Sequence, residues 1–143
     1  MIGIIVTGHG NFATGLTSSL NLIAGVAENY VAVDFLAEQS VEDLSSNLNK
    51  AMDSLSNCEG ILVFSDLAGG SPFKTSVEVM MTRNDKVEVL AGTNLAMLIE
   101  ISMARAFVEG LQDLTDMAIN TGKDQILKYA FVQRVEESDE DGI

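Results

Sequence analysis

The sequence contains very little that could bind a metal, staple a loop or grip a phosphate backbone. Its 143 residues include one histidine, one cysteine, one proline and no tryptophan. The single cysteine, Cys58, excludes an internal disulfide and fits a reducing compartment. It has no CxxC partner and no histidine nearby in sequence, so it reads as a structural thiol, buried or half-buried. One histidine and no paired cysteine are too few for a metal site, and no cofactor is expected. Basic residues are scarce as well, with 8 Lys and Arg against 21 Asp and Glu and a net charge of −13. That balance excludes nucleic acid, whose phosphates need clustered cations, and an anionic membrane surface. An acidic surface keeps such a chain soluble and can steer a basic protein partner toward it. No apolar run approaches the roughly 20 residues that span a bilayer. The opening MIGIIVTGHG lacks a basic n-region, and its apolar run is too short for a signal peptide, so a cytoplasmic location is expected.

What is present reads as one globular α/β domain. A chain of this length buries roughly two-thirds of its extended surface and folds without disulfides or metal. IGIIV (2–6) and GILVFSD (60–66) are continuous apolar runs, as strands buried on both faces require. YVAVDF (30–35) and VEVLAG (87–92) read as two further strands. Between them, apolar residues recur at helical spacing. Phe12, Leu16, Leu20 and Ile23 form one stripe, with Asn11 as the expected cap and Gly25 at its end. Val41, Leu44, Leu48, Ala51, Met52 and Leu55 form another, behind a capping box at Ser40–Asp43 with Asp in place of the usual Glu. Ser71 is the expected N-cap of a third helix with Pro72 at its first position, and Asn94 that of a fourth over LAMLIEISMARAF. A fifth stretch, roughly 111–121, is expected to close at Gly122. KYAFVQRV (128–135) reads as a strand or edge segment, and residues 136–143 as a frayed acidic tail after a single domain over 1–135. The expected architecture is a doubly wound, mostly parallel sheet of four strands with helices on both faces.

In such sheets, ligands sit beyond the carboxyl ends of the strands. The first strand ends in Gly8-His9-Gly10 and the third in Asp66-Leu67-Ala68-Gly69-Gly70-Ser71-Pro72. A lone histidine is usually structural, but His9 stands at a strand end between two residues that have no side chains to obstruct an approach. Asp66 closes an apolar strand, where a carboxylate needs a hydrogen-bond partner. An Asp accepting a proton from one ring nitrogen would leave the other free and nucleophilic. Gly69 and Gly70 let backbone N–H groups turn toward an anion at a helix N-terminus, and Ser71 could cap the helix or donate to a phosphoryl oxygen. Each feature alone has an ordinary structural reading. Together they supply a nucleophile, an orienting acid and an anion cradle. A P-loop is absent, as is the GxSxG elbow of a Ser-His-Asp hydrolase. The methionines at 80, 81, 97 and 103 fall at helical positions and read as core filler.

On IIVTGHGNFATGL, VFSDLAGGSPF and VEVLAGTNLAMLIE, roughly residues 1–125, the chain resembles the mannose-class enzyme IIA components of the bacterial phosphoenolpyruvate-dependent sugar phosphotransferase system. The resemblance implies a phosphotransferase with a phosphohistidine intermediate. His9 would accept a phosphoryl group on Nε2 from the phosphocarrier HPr and pass it to enzyme IIB. Asp66 would hold the other ring nitrogen, while Ser71 and the Gly69-Gly70 backbone contact the phosphoryl oxygens. It also implies a homodimer exchanging an antiparallel edge strand, assigned to KYAFVQRV or to the segment near Gly92. The membrane is met only indirectly, through IIC and IID. Leu67-Ala68 departs from the Thr-Trp of some mannose-type members at the rim that meets HPr or IIB. No Ala/Pro-rich linker or IIB domain follows, so IIB is expected as a separate protein. Two alternatives stay open: a phosphoryl donor for dihydroxyacetone kinase, disfavoured by GGSPF, and a regulatory binding module that uses phosphohistidine. The sugar is not written in the sequence.

Overall fold

A computed structural model of the chain describes residues 1–131. Four strands, β1 (Gly3–His9), β2 (Tyr30–Phe35), β3 (Ile61–Ser65) and β4 (Val87–Leu90), form one sheet in the order β2-β1-β3-β4. Every pairing is parallel, with Thr7 opposite Val33 on one side and Ser65 on the other. The two unbroken apolar runs are the inner strands: β3 is buried throughout and β1 is buried up to His9. YVAVDF and VEVL are the outer pair and are mostly half-buried. Each inner residue is covered from both faces, which is why those strands tolerate almost no polarity.

Five helices, α1 (Phe12–Ala24), α2 (Val41–Ser54), α3 (Ser71–Met81), α4 (Leu95–Ala104) and α5 (Leu111–Asp124), cover the sheet. Strand alternation divides the core in two. Ile4, Val6, Leu62 and Phe64 pack with Leu20 of α1, Leu98 and Ile101 of α4 and Leu114 of α5. Ile5, Val33, Ile61 and Val63 face the other way, onto Leu44, Leu48 and Met52 of α2 and Val79 of α3. Right-handed crossovers require this arrangement. The β1–β2 connection runs in one direction from the centre and the β3–β4 connection in the other, so their helices lie on opposite faces. The chain therefore diverges at the carboxyl ends of β1 and β3, where a crevice opens.

Local signals fared unevenly. The Ser40–Asp43 capping box forms: Ser40 Oγ accepts from Asp43 N–H at 3.1 Å, and Ser40 N–H donates to Asp43 Oδ2 at 3.0 Å. Asn94 Oδ1 accepts from Met97 N–H, as expected. Asn11, in contrast, makes no side-chain cap, and Asp34 at the end of β2 takes its place, accepting from Thr14 N–H at 3.0 Å and Thr14 Oγ1 at 2.6 Å. Gly122 does not end α5. It lies inside the helix, where a Cβ would meet Met97 Sδ at 2.7 Å, so its role is close packing of α5 on α4. The fourth strand and fourth helix stop at Leu90 and Ala104, short of the expected 92 and 107. Residues 128–131 form no strand, and the rest of KYAFVQRV, with the acidic tail 136–143, lies outside the described residues.

One structural residue left no signal in the sequence. Arg105, after α4, is buried, and its guanidinium donates to the carbonyls of Ile2 (2.8 Å), Asn29 (3.1 Å) and Glu28. It fastens the amino ends of β1 and β2, at the edge of the sheet opposite His9.

Candidate functional site

The site grows from the pairing of β1 with β3. Because Thr7 lies opposite Ser65, the residues just beyond, His9 and Asp66, emerge side by side from the sheet edge. His9 shares a strand face with Ile5 and Thr7, so its ring lies over the α2/α3 side. There it stands between the tilted ring of Phe35, 6.1 Å away between centroids, and Gly70 at the head of α3.

Asp66 grips His9 twice. Its Oδ2 lies 2.7 Å from His9 Nδ1 and accepts the His9 backbone N–H at 2.9 Å. Its other oxygen, Oδ1, accepts Leu67 N–H at 2.7 Å. An ionised carboxylate can only accept, so with a neutral imidazole the proton sits on Nδ1 and Nε2 keeps its lone pair. The Asp66 side chain is 12% exposed and the His9 side chain 47%, so the orienting group is sheltered while the ring reaches solvent. Burial alone would raise the Asp66 carboxyl. The hydrogen bonds from His9 N–H, His9 Nδ1 and Leu67 N–H outweigh it and hold the carboxyl below the usual aspartate value.

The four remaining positions of the loop bend around this pair. Gly69 has φ +80°, a left-handed conformation that suits glycine. A Cβ on Gly70 would lie 3.0 Å from His9 Cε1, the carbon between the two ring nitrogens. Ser71 is not the N-cap. Gly70 takes that position, Ser71 is the first helical residue and Pro72 the second, so the expected register moves by one. The Ser71 hydroxyl is thereby released from capping. Gly70 N–H is already engaged with Leu67 C=O at 3.1 Å. The donors left at the head of α3 are therefore the N–H groups of Gly69, Ser71 and Phe73 with the Ser71 hydroxyl, Pro72 having none.

The glycines beside His9 also separate in role. Gly8 is buried, and a Cβ there would collide with Phe12 at 2.4–2.8 Å, so its bare backbone makes room for α1 rather than for a visiting protein. Gly10 has open space around it and φ +57°. Phe35 and Asp34 join the site without belonging to either glycine-rich motif. The signal was available, since YVAVDF carries an aspartate one residue before its end, and ILVFSD closes on one. Among the described residues no group of three His, Cys, Asp or Glu side chains could hold a metal ion.

Residues 3–119 match the family model EIIA-man, described as PTS system fructose IIA component. Over 125 residues the chain is 30% identical to the PTS system mannose-specific EIIAB component of Escherichia coli K12. That alignment covers 87% of this chain and 38% of the longer relative. It is 28% identical over 114 residues to the PTS system fructose-specific EIIA component of Bacillus subtilis, covering 80% of this chain and 77% of that protein. Among solved structures, phosphotransferase system component EIIA from Streptococcus agalactiae superposes with a TM-score of 0.83 at 39% identity. That superposition covers 90% of this chain and 97% of the other.

Proposed function

The chain belongs to the EIIA-man family of phosphotransferase-system IIA components, and on that premise we propose that it relays phosphoryl groups for sugar uptake through His9 Nε2. The observation that carries this reading is the 2.7 Å contact of His9 Nδ1 with Asp66 on a half-exposed ring. The lone pair of Nε2 attacks the phosphorus of a phosphohistidine on HPr. The donor N–P bond breaks as the Nε2–P bond forms, and the donor imidazole leaves. Asp66 retains the Nδ1 proton and holds the ring in line. Ser71 Oγ, with the N–H groups of Gly69 and Ser71, meets the phosphoryl oxygens, while Gly70 contributes its missing side chain rather than its N–H. A second transfer, to a histidine of enzyme IIB, runs by the same chemistry. Phosphoryl transfer asks little covalent work of the protein beyond positioning and charge stabilisation.

The deciding experiment incubates the chain with phosphoenolpyruvate, enzyme I and HPr. Wild type takes up an acid-labile, alkali-stable phosphate and His9→Ala does not. An unlabelled wild type refutes the relay. Delivery to a purified IIB, rather than to a dihydroxyacetone kinase subunit, distinguishes the sugar pathway from its nearest alternative.

We also propose a cytoplasmic homodimer, with residues 1–135 as one domain and contact to the membrane only through IIC and IID. The support for the dimer is that β4 is an outer strand of the sheet, and that in the apolar segment after α5 Ile126, Leu127, Tyr129 and Phe131 are all exposed. Such a segment and such an edge suit strand exchange between two copies. Sedimentation equilibrium of wild type gives a dimer mass, and a monomer at micromolar concentration refutes it.

A further inference from the structure

Phosphorylating His9 places a dianionic group beside the Asp66 carboxylate, on a chain of net charge −13. The charges nearest the site sharpen the difficulty. The four loops at the carboxyl edge of the sheet, with the first turns of the helices that follow, comprise residues 10–15, 36–44, 66–74 and 91–98. They carry Glu38, Glu42, Asp43 and Asp66, and Asp34 is the penultimate residue of β2. Lys74 is the only Lys or Arg in those segments.

Its placement follows from the helix. Lys74 N–H donates to Gly70 C=O at 2.8 Å, so Lys74 stands one turn above Gly70 on the same side of α3. Gly70 is the residue whose Cβ would lie 3.0 Å from His9 Cε1. Side chains four apart on a helix have Cβ atoms about 5–6 Å apart, and they lean toward the N-terminus. A lysine stem is long enough to span that gap toward the ring. Lys74 is exposed and makes no ion pair among the described residues, so the fold does not employ its charge.

We propose that Lys74 is a catalytic residue of the relay, its ammonium contacting the phosphoryl group as it arrives at and leaves His9 Nε2. This rests on the reading of His9 as the acceptor. The ammonium offsets charge that the neutral donors of Ser71 and the loop can only solvate. It neither gives nor takes a proton, and the bonds made and broken remain those of the His9 transfer.

The test uses two donors, phospho-HPr and phosphoramidate, on the full chain. Phosphoramidate is a small reagent that yields its phosphoryl group to an imidazole and leaves as ammonia, so no protein docking is involved. Lys74→Gln is expected to label His9 about tenfold more slowly with both donors in low salt, Lys74→Arg to recover most of the rate, and the deficit to shrink at 1 M salt. If Lys74→Gln slows labelling by HPr but not by phosphoramidate, the lysine serves protein docking and the proposal fails. Equal rates for Lys74→Gln and wild type with both donors also overturn it, while leaving the relay intact. A wild type that takes no label from either donor refutes the relay itself, and the proposal with it.

Discussion

His9 and Asp66 meet through a single carboxylate oxygen: Asp66 Oδ2 accepts the backbone N–H of His9 at 2.9 Å and lies 2.7 Å from its Nδ1. The double contact fixes both the strand end and the ring that grows from it. Rotating the imidazole would break the Nδ1 bond without freeing the backbone one, so the ring has one preferred seat. In the proposed relay Asp66 acts as a positioning residue for Nε2, so its removal should affect rate far more than fold.

Asp66→Asn keeps the shape of the side chain and discards its charge. An amide that accepts the backbone N–H can still be built, but the tautomer of His9 is no longer dictated by a carboxylate. Phosphorylation by phospho-HPr is expected to slow by about 10- to 100-fold, the scale on which orienting partners of a functional histidine act. Circular dichroism should be unchanged. Wild-type rates in this variant would show Asp66 to be merely a strand-end carboxylate.

The same carboxylate shapes the acid limb of stability. Its pKa in the fold lies below the ordinary 3.8 because the bonds from His9 and Leu67 outweigh burial. A group depressed on folding stabilises above its unfolded pKa, and that contribution is lost as pH falls through the folded value. Urea melts of wild type and Asp66→Asn should therefore differ by a constant amount at and above about pH 5 and converge toward pH 2. A gap that does not narrow below about pH 4 would contradict the assignment.

The sequence made the centre of this site legible because strand polarity is a strong signal. Continuous β-branched runs such as IGIIV and ILVFS suit inner strands, and inner neighbours place their terminal residues together. That is why His9 and Asp66 pair on sequence grounds alone. Helix ends were less legible, because a cap depends on which side chain arrives first in space. Asn11 holds the N-cap position of α1, but Asp34 from β2 supplies the side-chain acceptor, and Ser71 lost its position to Gly70 by one residue. Long-range closure left no trace. Nothing around MARAF announces that Arg105 will reach carbonyls 76 to 103 residues away.

Two glycine substitutions should separate fold from chemistry. Gly8→Ala drives a methyl into Phe12, with a closest approach of 2.4 Å, and should cost about 1–3 kcal/mol of stability as an overpacked core. Gly70→Ala puts its methyl 3.0 Å from His9 Cε1, a milder contact that the half-exposed ring relieves by tilting. It should melt near wild type yet lose phosphorylation rate because Nε2 leaves its line of attack. Chemical denaturation and labelling kinetics measured on both variants give opposite rankings if this is right. A Gly70→Ala protein with wild-type kinetics would place the ring out of reach of that position.

Arg105 offers the complementary case, stability without chemistry. Its guanidinium satisfies carbonyls of Ile2, Asn29 and Glu28 at the far edge of the sheet from His9. Arg105→Met fills much of the same space but strands those acceptors, each of which must then find water or go unpaired. Lysine is no remedy, since a single ammonium lacks the planar fork that spans two strands. Both variants should lose about 2–4 kcal/mol in urea denaturation at neutral pH. Below the denaturation transition, His9 should still be labelled at the wild-type rate, because β1 transmits only its register to the opposite edge. A loss under about 0.5 kcal/mol would mean that water already serves those carbonyls as well as the arginine does.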